Sequence, residues 1–319
     1  MTPERSTSMH SDDRAIRARV LRAIAANRLP GLHFPGHFLD IQWKEVAGGA
    51  ARATLEDGPH CRNADGTINL IAIGMLADNT LAASTRTGLS PGSRLGTTHL
   101  GIQFTGAPAQ GTIEAESLLL GFSEGTGLRQ SLSRGTLCAQ GRPLGHISGQ
   151  FVFLDPPPGM ALGPLPYERS EPPTVETVDP GRLAPHEATV LRTCEAALSK
   201  ASPEASFIEH LWGGAPRRDA RGAANRVAIG PHIGNRVGHV QGGILLGLAA
   251  ATACAAAPGS MMLSSASAWY ISPGRGNELR IRSCILHAGR TTAVVRTEIK
   301  NADGGRVVEA VSHHVARLE

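Results

Sequence analysis

The chain has 319 residues, 41% hydrophobic and 18% charged, which is ordinary globular material in sufficient quantity for two cores and excludes disorder, collagen and coiled coil. Aromatic residues are only 4%, and 31 Lys+Arg against 27 Asp+Glu give a formal charge of +4 with no dense basic run. No base-stacking platform or polyanion groove is written here and no nucleic-acid partner is expected, although a small surplus suits an anionic small molecule.

Five cysteines (Cys61, Cys138, Cys194, Cys254, Cys284) lie far apart, odd in number and without a C-x-x-C pair. That argues against a disulfide framework or a zinc site and for a reducing compartment. The first 20 residues are polar, with no signal-peptide core. The longest apolar stretch, Gly242 to Ala257, is shorter than the roughly 20 residues that span a bilayer. A cytoplasmic location with no membrane partner is the expectation.

In chain order, Ser11 to Asn27 reads as an amphipathic helix, with Ser11 as N-cap, Asp12 and Asp13 in the first turn, and a stripe of Ile16, Val20, Leu21 and Ile24. Phe38 to Trp43 and Ala51 to Leu55 alternate like strands about Gly48-Gly49. The apolar run Ile68 to Ala83 is too long for a strand and predicts a buried helix. Four strands follow: Thr97 to Phe104, Gly111 to Leu120, Leu128 to Ala139 and Leu144 to Leu154. Between Pro156 and Pro185 fall nine of the 21 prolines, a pattern that suits a semi-rigid connector better than a core element.

The pattern then restarts. A helix is expected over Glu187 to Lys200, strands near Phe207 to Trp212 and Ala223 to Ile229, and a second buried helix over Gly242 to Ala256. Strands near Ala266 to Ser272, Glu278 to His287, Thr291 to Lys300 and Arg306 to Arg317 close the chain, with a hairpin turn at Asn301 to Gly304. Shifted by 172, Asn63 falls on Asn235, Gly66 on Gly238, Asn69 on Gln241, Leu76-Ala77 on Leu248-Ala249, and Thr80 on Thr252. These matches keep their order around the same helix and mark an internal repeat. The expected class is α+β, each half an antiparallel sheet on one long helix. The expected division is an N-terminal helix (1–30), a first domain (31–155), a Pro-rich linker (156–185) and a second domain (186–319).

The stretch Asn235-Arg236-Val237-Gly238-His239-Val240-Gln241-Gly242-Gly243 opens an apolar helix, and its counterpart Asn63 to Asn69 is followed nine residues later by Asp78. This resembles the hotdog-fold thioesterases of the phenylacetate-type acyl-CoA group, in a tandem form. The resemblance implies a curved antiparallel sheet around each helix, two units side by side, active sites between them, an acyl-CoA substrate and no cofactor or metal. Association of chains into a homo-oligomer through sheet edges or outer faces is also expected.

The chain departs from that pattern in complementary ways. The first half keeps Asp78 but has Asn69-Leu70-Ile71 where the family has His-Gly-Gly. The second keeps Gln241-Gly242-Gly243 but has Ala250 in place of the acid. Asp78 stands about 13 Å along its helix from Asn69, so it cannot serve its own helix start and must face the neighbour's. One composite site is expected. In it Gly242 N–H is the oxyanion donor, Asp78 is general base or nucleophile, and Gln241 and Asn235 orient carbonyl or water; Gly243 and Asn63 contact substrate. His239 and His232 are reserve candidates for the base. Arg129, Arg134, Arg275 and Arg280 are candidates for the CoA phosphates. The competing readings are an acyl-CoA binding or regulatory protein without turnover, and a hotdog-type enoyl-CoA hydratase.

Overall fold

The structure is a computed structural model that describes residues 3–90, 93–123, 129–171 and 175–317, without the side chains of 3–11. The first half runs α1 (Pro3–Asn27), α2 (Phe34–Leu39), β1 (Gln42–Ala47), β2 (Ala50–Leu55), α3 (Leu70–Arg86), β3 (Arg94–Phe104), β4 (Ile113–Phe122), β5 (Gln130–Ala139) and β6 (Arg142–Leu154). The second runs α4 (Pro185–Leu198), β7 (Arg217–Asp219), β8 (Gly222–Ala228), α5 (Gly242–Ala256), β9 (Met261–Tyr270), β10 (Glu278–Ala288), β11 (Thr292–Asn301) and β12 (Arg306–Ala316).

All strands lie in one antiparallel sheet of twelve, ordered β1-β2-β4-β5-β6-β3-β9-β12-β11-β10-β8-β7. The halves join in the middle, where β3 pairs with β9 through Leu100 opposite Ala268 and Ile102 opposite Ala266. Helix α3 packs on β2, β4, β5 and β6, while α5 packs on β8, β9, β10 and β11. The architecture is α+β, as the element order predicts.

The two long helices form where their sequences are apolar almost all round, because each must face both a sheet and the other helix. Leu76, Leu81, Leu246 and Leu248 are wholly buried, each burial stabilising by about 1.5–3 kcal/mol. Polar residues within them are satisfied locally: Thr80 and Thr252 hydroxyls donate to the carbonyls of Leu76 and Leu248, one turn back. The helices run antiparallel and touch backbone to backbone. A Cβ on Gly74 would stand 2.4 Å from the Gly243 carbonyl oxygen, one on Gly243 2.3 Å from that of Gly74, and one on Gly247 2.4 Å from Ile71 Cα.

The repeat is exact at the level of hydrogen bonds. The bridge Arg62–Ile68 has its counterpart in Gly234–Val240. The bonds Asn69 N–H to Cys61 O and Ile68 N–H to Ala109 O match Gln241 N–H to Ile233 O and Val240 N–H to Gly274 O. The same shift of 172 carries residues 13–26 of α1 onto α4. The two helices are clasped together by Arg28 and Glu187, whose carboxylate is held down to about 2 by the guanidinium.

Four local expectations are corrected. Helix α1 begins at Pro3, so Ser11 lies inside it and is no N-cap. Phe38-Leu39 close helix α2 before the strand starts at Gln42, and the segment at Phe207 to Trp212 is helical, with a π-helical turn over Glu209–Gly213. Both aromatic segments mimic strands in composition. They are helical because they bury their rings against each other, with Phe38 5.9 Å from Phe207 and 5.6 Å from Trp212 between centroids. The proline-rich stretch also packs: Leu165 and Val178 are buried, and Tyr167 lies edge-on to Trp43 at 4.6 Å. The expected strand start at Leu128 lies outside the described residues. Among those described, no helix is long and apolar enough to cross a membrane.

The glycine crossing gives a stability test. Gly74→Ala forces a methyl into the Gly243 carbonyl, and overpacking of this kind costs about 1–3 kcal/mol or more. Thermal denaturation should fall by on the order of 5 °C. Gly259→Ala, with open space around its Cβ position, should leave the midpoint within error.

Candidate active site

Helix α5 begins at Gln241, its N-cap, whose side-chain carbonyl accepts from Ile244 N–H at 3.0 Å. The amide end of the same side chain donates to Asp78 Oδ2 at 2.6 Å. Gly243 N–H donates to the same oxygen at 3.1 Å, and the Thr97 hydroxyl donates to Oδ1 at 3.2 Å. Leu245 N–H turns back to the Gln241 carbonyl. This leaves Gly242 N–H without a hydrogen-bond partner among the described residues, at a helix end where unpaired donors carry partial positive charge. The Tyr270 hydroxyl holds the next peptide along, Gly242–Gly243, by donating to Gly242 O at 2.7 Å.

The glycine is required by space. A Cβ at Gly242 would lie 2.9 Å from both Asp78 Oδ2 and Thr97 Oγ1. The carboxylate of one half can therefore stand against the helix start of the other only where no side chain intervenes. Asp78 is 5% exposed, and burial lifts its pKa to about 6, the hydrogen bonds from Thr97, Gly243 and Gln241 pulling the other way. Burial, reinforced by the Asp78 charge, also pushes the Tyr270 phenol well above its usual range, so it stays a donor.

At the mirror position the parts differ. Asn69 caps α3 by accepting from Ile71 N–H, and its amide donates to Asn63 Oδ1. Leu70 and Ile71 occupy the glycine positions and Ala250 the place of the acid. The acid and the glycine turn thus meet once per chain.

Asp78, Gln241, Gly242 and Asn235 share the lining of one cavity of about 310 Å³, to which Thr97, Tyr270 and His239 also belong. Asn235 Oδ1 is engaged inside its own loop, accepting from Val237 and His239 N–H. Gly243 spends its N–H on Asp78 and its bare Cα on the helix crossing. Asn63 sits in the first-half turn, its amide on Thr67, away from the cavity lining. His232 is buried, and that burial drops its pKa to about 4. Arg129 lies over the rings of Phe122 and Phe153, and Arg280 bonds Glu278. No group of three or more His, Cys, Asp or Glu among the described residues is arranged to hold a metal.

Thr97 and Tyr270 were not singled out for the site from sequence. For Tyr270 a signal existed, since beyond the helix a shift of 166 sets it against Phe104, the same ring without the hydroxyl. For Thr97 there was none, because its contact depends on how β3 lies beside α3. The connector was also missed: Leu162, Leu165 and Tyr167 form part of the cavity wall.

Residues 232–314 match the family of the acyl-CoA thioesterase N-terminal domain. The chain is a tandem hotdog, and the match to the acyl-CoA thioesterase family lies in its second unit. The tandem hotdog is similar in fold to a presumed thioesterase from Novosphingobium aromaticivorans, at 13% identity and a TM-score of 0.52, covering 87% of this chain and 98% of that one. It is similar to a hot dog fold protein of unknown function from Alicyclobacillus acidocaldarius, at 9% identity and 0.50, covering 87% and 96%. It is similar to the 12:0-ACP thioesterase of Umbellularia californica, at 12% identity and 0.50, covering 85% and 95%. No curated protein matches the sequence.

The buried acid makes a stability prediction. Its pKa of about 6 exceeds the unfolded 3.8, so the folded tandem hotdog binds more protons between those values. Stability falls as pH rises through that window, and the penalty, about 3 kcal/mol, is fully present above it. Asp78→Asn can keep all three contacts, its amide donating to Thr97. It should therefore melt higher than wild type at pH 8 and converge with it below pH 4, read by denaturation across pH.

Proposed function

We propose that the protein is a thioesterase that hydrolyses acyl-CoA thioesters to free acid and CoA at the composite site between its halves. The observation that carries this reading is the buried Asp78 of α3 held against the one free N–H at the start of α5. The thioester carbonyl accepts from Gly242 N–H, and negative charge grows on that oxygen as the tetrahedral intermediate forms. A preorganised donor of this kind is worth about 3 kcal/mol in barrier height. Asp78 removes the proton from a water that attacks the carbonyl carbon, the C–S bond breaks, and the proton passes to the departing thiolate. Direct attack by Asp78 would instead form an anhydride that water then opens, through the same oxyanion. A single turnover in ¹⁸O-labelled water separates these routes, since only the anhydride route can leave label in Asp78.

Release of free thiol from a panel of acyl-CoAs is the primary test. A binding protein without turnover would take up acyl-CoA and release no thiol. Asp78→Asn should lower turnover by about 100-fold or more in a protein that remains folded. Because the base must be ionised, kcat/KM should rise with pH through about 6 and level off above it. Tyr270→Phe, which frees the Gly242–Gly243 peptide that donates to Asp78 without removing the acid, should cost about tenfold, on the scale of one lost hydrogen bond to a positioned group. Normal turnover in folded Asp78→Asn would overturn the assignment and turn attention to His239, which also lines the cavity.

A further inference from the structure

The cavity holds more cationic charge than the proposed chemistry uses. Arg86 at the end of α3 and Arg236 in the loop before α5 both line it, and neither makes a salt bridge among the described residues. Arg86 donates to Ser93 O and Arg236 to Gly163 O on the connector, so both guanidiniums are positioned by carbonyls rather than by carboxylates. Arg236 Nε is buried with no hydrogen-bond partner among the described residues. Arg86 is close enough to disfavour the charge of Arg236, and Tyr167 beside them feels both. Glu168, the acid that acts on Arg236, is exposed and already accepts from Leu165 N–H.

An unpaired buried donor and two facing cations are costly unless an anion joins them. Their position says which part of a substrate would bring it. Arg86 lies eight residues beyond Asp78, about 12 Å along α3. The same lining carries the apolar side chains of Ala82, Leu95, Phe151, Leu162, Leu165 and Trp43, with Asn79, Thr98 and Arg94 among them. A thioester held at Gly242 would lay an aliphatic stem along this lining and end at the guanidiniums. Arginine receives a carboxylate through paired N–H groups.

We propose that Arg86 and Arg236 form a subsite for a terminal carboxylate on the acyl group, making the preferred substrate the CoA thioester of a dicarboxylic acid. This rests on the thioesterase reading above. The test compares chains of equal length: succinyl-, glutaryl-, adipoyl- and suberoyl-CoA against butyryl-, pentanoyl-, hexanoyl- and octanoyl-CoA, scored as the ratio of kcat/KM within each pair. In wild type at least one pair should favour the dicarboxylate by about tenfold or more. Arg236→Gln and Arg86→Gln should each collapse that ratio toward one, and Arg236→Lys should restore part of it. A wild-type ratio of one or below in every pair overturns the subsite. So does a ratio that survives in both Gln variants while all substrates weaken together, which would place CoA phosphate at the arginines. If wild type releases no thiol from any substrate, the hydrolytic reading fails by itself. Calorimetric binding of the same pairs then decides: tighter binding of the dicarboxylate, lost in Arg236→Gln, upholds the subsite, and equal binding removes it.

Discussion

Everything distinctive about this protein depends on how closely α3 and α5 approach. Gly74, Gly243 and Gly247 let two helices meet at backbone distance, closer than any pair of side chains allows. Closeness has an electrostatic result: it brings a carboxylate from the middle of one helix to the positive end of the other. A pair of helices separated by leucines would bury the same apolar area and leave Asp78 facing carbon. The buried acid is then a liability to folding, offset by donors from Gln241, Gly243 and Thr97, and this is the usual condition of a group whose pKa is set for proton transfer near neutrality.

The division of labour between the two copies follows. At the start of α5 the backbone must be bare, whereas at the start of α3 Leu70 and Ile71 are free to fill space. At position 78 an acid is held, while at 250 alanine packs. Each half contributes what the other lacks, and the continuous sheet through β3 and β9 fixes their relation.

The long helices, the strand order and the repeat were legible in the sequence because they rest on periodicity and composition. The meeting of Asp78 with the start of the other helix was legible for a related reason. The helical rise put Asp78 out of reach of its own helix start, and the missing pieces were complementary. What was illegible depended on contacts between segments remote in sequence. The aromatic stretches at Phe38 and Phe207 read as strands because ring-rich segments usually are, and only their mutual packing makes them helical. Thr97 reaches Asp78 through the placement of a strand that no local signal records. Asn235 accepts from backbone N–H groups of its own turn while Asn63 bonds the side chains of Thr67 and Asn69, so the recurring residues hold their loops in different ways.

The connector between the halves has a geometric consequence. Two equal units related by a twofold offer two equivalent clefts, but a single tether can lie across only one of them. Here Leu162, Leu165 and Tyr167 wall the cleft that contains Asp78, and Arg236 grips the tether at Gly163. Fusion thus gives the cleft that contains Asp78 a wall that belongs to neither copy, and each residue of that wall is encoded once rather than twice.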